Sequence, residues 1–130
     1  MMKTLILLLT TTLVIGGCAT ARFDNKELTL ATEIRFASAQ VKACDNPQDA
    51  AALAKLLYEQ SKFFAMYAEH IPDNTETIKM AAELVKEAEP FNQAYADNKK
   101  PSTAYCKSKL EIVNHSANSV QRAMAIKLRK

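Results

Sequence analysis

The side chains able to do chemistry are few and scattered. Cysteines stand at positions 18, 44 and 106, and histidines at positions 70 and 115. A thiol can be acylated, oxidised or bound to a metal, and an imidazole can move a proton or hold a metal. Neither histidine is spaced from Cys44 or Cys106 as a zinc motif requires. Glu111 and His115 stand one residue too far apart for the Glu-x-x-His motif that builds di-iron sites inside helical bundles. No Cys-x-x-Cys-His sequence offers covalent haem attachment, although His70 or His115 could ligate a haem together with a methionine. Glu83, Glu87 and Glu89 form an acidic helix face. Paired carboxylates can do acid–base work, but on an alanine-rich helix their ordinary role is solvation. The only glycines are Gly16 and Gly17, so no serine can occupy a Gly-x-Ser-x-Gly elbow. The expectation is a protein that is not an enzyme, with no cofactor, no metal site and no small-molecule substrate.

The cysteine at position 18 has the most informative surroundings. Lys3 precedes an apolar run from Leu5 to Ile15, and Gly16, Gly17 and Cys18 follow it. A basic start, a short apolar core and small residues at the exit read as a secretory signal over residues 1–17. Eleven helical residues cover roughly 16 Å, about half of a bilayer's hydrocarbon core, which makes the run a poor permanent span. Ile15-Gly16-Gly17-Cys18 resembles the lipobox of bacterial lipoproteins. The resemblance covers the first 18 residues. It implies diacylglycerol on the Cys18 sulfur, cleavage before Cys18, and an anchor of acyl chains such as palmitate. Ala19 stands where an Asp would imply inner-membrane retention, so the resemblance implies the periplasmic face of the outer membrane. The competing reading of Cys18 is an ordinary cysteine beside a plain signal cleavage site.

Loss of the signal would leave 113 residues, enough for one domain with a single core. One of the 17 basic residues and none of the 14 acidic ones lies in the signal, so the mature net charge is +2. That is too mild to argue for nucleic acid as a partner. A mature chain without glycine, rich in Ala, Leu, Lys and Glu, predicts an all-α fold, because tight hairpin turns need positive φ. With Cys18 acylated, Cys44 and Cys106 remain as a pair. In an oxidising periplasm a disulfide is the default, and two separate buried thiols are the alternative.

The elements that must position these residues read as a bundle of about four helices over residues 27–130, after a tether of residues 18–26. The first helix spans about Asn25 to Cys44, with Leu30, Ile34, Ala37, Val41 and Cys44 on one stripe. Asn46 and Pro47 open a second helix that runs to about His70. Leu53, Leu57, Phe64 and Tyr67 form its stripe, Leu56, Phe63 and Met66 widen it, and it is expected at the centre of the core. Asp73 and Glu76 predict a capping box for a third helix, which Pro90 either kinks or ends; continuation to about Ala96 fits Phe91 and Tyr95. The fourth starts near Ser102 and carries Cys106, Leu110, Val113, Ala117, Val120 and Met124 at spacings of 4, 3, 4, 3 and 4.

Two features suggest contact with something else. Phe63 and Phe64 are adjacent, about 100° apart on a helix, so one of them could line a groove for a partner helix together with Tyr67; a wide core stripe is the other reading. The basic end, with Arg122, Lys127, Arg129 and Lys130, either complements the helix dipole or meets anionic headgroups or a partner. The order of lipobox, helix ending at Cys44, proline-containing loop and Cys106 opening the last helix resembles the small helical pilotins of secretion systems. That resemblance implies a lipoprotein that holds a secretin helix and carries it to the outer membrane. A protective lipoprotein of the phage or plasmid exclusion type, or a structural envelope lipoprotein, fits the same features.

Overall fold

Local capping decides where the helices begin. Asp24 accepts a hydrogen bond from the Glu27 N–H (2.9 Å) and opens α1, Asn25–Ser38. Asn46 accepts from the N–H groups of Gln48 (2.8 Å) and Asp49 (3.3 Å), with Pro47 in the first position of α2, Pro47–Glu69. Ser102 accepts from the Tyr105 N–H (3.1 Å) and opens α4, Thr103–Leu128. Between them lies α3, Thr75–Gln93, and short 3₁₀ turns cover Val41–Asp45 and Ala96–Asn98. The computed structural model describes residues 22–129, and no strand is found among them. The signal segment 1–17, Cys18, the first residues of the tether and Lys130 lie outside the described residues.

The fold is an all-α, four-helix bundle. α1 packs on α2 and α4, and α3 packs on the same two neighbours, so the helices close a ring. Cross-helix bonds give the direction of each pair. Asn114 reaches Ser38, Gln121 reaches Thr32, and Lys127 reaches Glu27, so α4 descends as α1 ascends. Tyr58 meets Glu89 while Asn74 meets the Ala68 carbonyl, so α2 and α3 are antiparallel as well. The topology is up-down-up-down.

Each helix contributes to one core. Ile34 from α1, Leu57 and Phe64 from α2, Leu84 and Phe91 from α3, and Leu110, Val113 and Met124 from α4 are fully enclosed. Each such side chain is worth roughly 1.5–3 kcal/mol against exposure. The whole α4 seam, from Cys106 to Met124, is buried as its spacing predicts. α2 is not the central helix, because the core is shared around the ring.

Four local expectations need correction. The first helix stops at Ser38 rather than Cys44. The Ser38 hydroxyl (2.9 Å) and the Asn114 amide from α4 (3.0 Å) join the Ala39 N–H on the Arg35 carbonyl, and beyond it the Gln40 and Val41 N–H groups turn to nearer carbonyls, those of Ala37 and Ala39. Val41 is consequently exposed, whereas the 3₁₀ turn carries Cys44 inward. The capping box at Asp73 does not form: Asp73 has φ 58°, and Asn74 occupies the cap position with its side chain turned elsewhere. α3 runs through Pro90 but ends at Gln93, short of Ala96. Leu56, Phe63 and Met66 do not widen the core; all three are exposed. Without glycine, positive φ falls to Asp73, Asp97 and Asn98, whose short polar side chains tolerate that region best.

Cys44 and Cys106 form a disulfide, with Cα atoms 5.7 Å apart. Antiparallel packing brings the extension of α1 to the start of α4, and the Thr103 hydroxyl donates to the Cys44 carbonyl (3.3 Å) beside the bond.

Candidate functional site

The clearest candidate surface lies on α2. Phe64 is fully buried, whereas Phe63 is 53 % exposed. One residue step turns a helix by about 100°, so the pair divides between core and solvent. Leu56, two turns before Phe63, and Met66, three residues after it, are exposed on the same outward face. Helical spacing puts Glu59 and His70 there too. A run of large apolar side chains on a solvent face departs from the usual polar exterior of a bundle helix. Of the three aromatic residues singled out on this helix, only Phe63 is exposed to a partner.

Tyr67 has a different position. It is half-buried, and its hydroxyl donates to both Asp24 carboxylate oxygens at 3.2 Å. Asp24 therefore both caps α1 and ties α1 to α2. Burial, then the hydrogen bond to Asp24, holds the Tyr67 hydroxyl above the ordinary tyrosine value. Tyr95 is also raised, first by burial and then by Tyr105.

At the same end of the bundle lies a buried polar cluster. Glu27 is enclosed, and its Oε1 stands 3.3 Å from Lys127 Nζ. Lys127 Nζ also donates to Asn74 Oδ1 (2.6 Å) and Thr77 Oγ1 (2.9 Å). The Asn74 amide donates to Glu27 Oε2 (2.7 Å) and the Ala68 carbonyl (3.0 Å). All four helices meet here, and every charged atom in the cluster has a partner, which is the condition for holding such a pair inside a protein. Sequence reasoning missed it. The available signal was Glu27 at helical spacing from Leu30 and Ile34, a charge on an otherwise apolar stripe.

The histidines are separated. His70 is the C-terminal cap residue of α2 and His115 lies on the exposed side of α4. An open groove of about 480 Å³ runs beside Glu87, Glu111, Ile112 and His115. One Glu87 oxygen is buried there without a protein partner. Glu83 and Glu89 do not line this groove; Glu83 is exposed, and Glu89 accepts from the Tyr58 hydroxyl at 3.5 Å. Among the described residues, no group of three or more His, Cys, Asp or Glu is placed to hold a metal ion. No helix among them is long and apolar enough to cross a membrane.

Comparison of the chain with protein families, curated proteins and solved structures returned no match.

Proposed function

We propose that this chain is an outer-membrane lipoprotein, anchored through Cys18, that binds an envelope protein through the outward face of α2. The observation that carries the reading is the exposed row of Leu56, Phe63 and Met66 on a helix whose inner face is already satisfied by Leu53, Leu57 and Phe64. Large apolar side chains at these spacings suit the apolar stripe of a partner helix, which offers i, i+3 and i+7 anchors of its own. The bundle behind them is stiffened by a disulfide and a shared core, so little of the α2 face needs to be ordered on binding. The protective alternative would suit a closed polar bundle better than a face that carries Leu56, Phe63 and Met66 beside Glu59 and His70.

The test is affinity capture from native membranes with the full-length protein, wild type against Phe63→Glu with Met66→Glu. The reading predicts that wild type recovers a secretin or another secretion-channel subunit and that the double variant does not. Equal recovery by both, or recovery of a porin or uptake receptor instead, would reject the carrier reading.

A further inference from the structure

We infer that the end of the bundle built from the start of α1 and the last turn of α4 rests on an anionic lipid surface. The inference rests on the lipid anchor at Cys18. Three residues separate Cys18 from Arg22, so the two lie within four residue steps, about 14 Å, of each other even when the chain is extended. The polar-cluster end therefore faces the bilayer, and the disulfide end points away from it.

Two observations shape that end. The seam of Val113, Ala117, Val120 and Met124 passes to Lys127, which turns inward to Glu27, and Leu128 beside it is left 58 % exposed in the last turn of α4. Phe23, before α1, and Ile71, after α2, are half-buried at the same end of the bundle. Charge supplies the second observation. Arg22 and Lys26 at the start of α1, and Arg122 and Arg129 in and just after the last turns of α4, are exposed at this end, and no acidic residue follows Glu111 in α4. Asp24 and Glu27, the acids nearest to them, are already engaged by Tyr67 and Lys127. Glu69, Asp73 and Glu76, the last paired with Lys79 at 3.9 Å, occupy the opposite, α2–α3 side of the same end. The base is thus basic and apolar where the tether enters, and acidic across from it. An anionic headgroup layer complements the first edge and repels the second, so the bundle leans on α1 and α4. This leaves the outward face of α2 on the side tilted away from the lipid, open to a partner.

The chain has no tryptophan, so one introduced residue is a clean reporter. Full-length lipidated Leu128→Trp and Phe36→Trp are placed in phosphatidylethanolamine vesicles with and without phosphatidylglycerol, and quenching by brominated lipid is measured. Both sites are exposed, so neither variant disturbs the core. The expected result is several-fold stronger quenching at Leu128→Trp in the anionic vesicles, reduced to the Phe36→Trp level by Arg122→Glu with Arg129→Glu. Equal quenching at both positions, with the protein still floating with the vesicles, overturns the docking and leaves the anchor standing. Failure to float overturns both. Protection of Leu128→Trp that follows protein concentration rather than lipid overturns the docking in favour of a second copy of the chain.

Discussion

Glu27 and Lys127 stand 100 residues apart in the chain and 3.3 Å apart in space. Their contact joins the first turn of α1 to the last turn of α4, with Asn74 and Thr77 from the start of α3 completing the coordination of both charges. The pair closes the end of the bundle from which the tether leaves.

Removing one member should therefore cost more than removing both. Lys127→Ala strands an enclosed carboxylate and is expected to lower stability by about 3 kcal/mol. Glu27→Leu combined with Lys127→Met should recover most of that loss. Urea denaturation of the single and double variants measures it; additive losses would show that the two charges act independently.

The disulfide closes a loop with a sequence separation of 62 residues. Chain-entropy reasoning gives such a loop about 4 kcal/mol, and measured values commonly fall below that figure. Cys44→Ser with Cys106→Ser should keep the helical circular dichroism spectrum and lower the denaturation midpoint. In the native chain, both sulfurs should resist alkylation until a reductant and a denaturant are added together, since Cys44 and Cys106 are buried.

Tyr67 makes the alkaline limit of stability predictable. Its hydroxyl titrates above the ordinary value of 10.0 because burial and Asp24 favour the neutral form. The folded chain then keeps a proton that the unfolded chain releases. Its contribution is complete below the unfolded value and is lost as pH rises from there through the folded value. Tyr95 acts in the same direction. Tyr67→Phe should flatten, without abolishing, the loss of stability above about pH 10. An unchanged alkaline slope would contradict the Asp24 contact.

Adjacent phenylalanines should respond in opposite ways. Phe64→Ala empties a fully buried site and should destabilise by roughly 3–5 kcal/mol. Phe63→Ala should stay within about 0.5 kcal/mol of wild type, as exposed substitutions do. Thermal unfolding separates them. A large loss at Phe63 would mean that its ring supports the fold.

How far the sequence could be read follows from what each residue asks of its neighbours. The α4 seam and the cap at Asn46 obey rules internal to one helix, and they were legible from spacing and residue type alone. The missing glycines identified the fold class for the same reason. Cys44 and Cys106 could be paired as a default, but only the antiparallel placement of α1 and α4 brings them together. Phe63 and Phe64 were legible as a divided pair, while the choice of inward ring depended on where α1 and α3 flank α2. Asn74 defeated the capping rule because Glu27 and Lys127, distant in sequence, compete for its side chain. A charge on an apolar stripe reads as a defect until its partner is seen.

The most direct test of the account is photocrosslinking in the native envelope. A photoreactive phenylalanine analogue replaces Phe63 in the full-length lipidated chain, and the same analogue replaces Phe36, exposed on α1, as the comparison. The account predicts a discrete adduct with one secretion-channel subunit from position 63, lost when Leu56 and Met66 are changed to Ser, and none from position 36. No adduct at position 63, or the same adducts from both positions, would contradict binding through the outward face of α2.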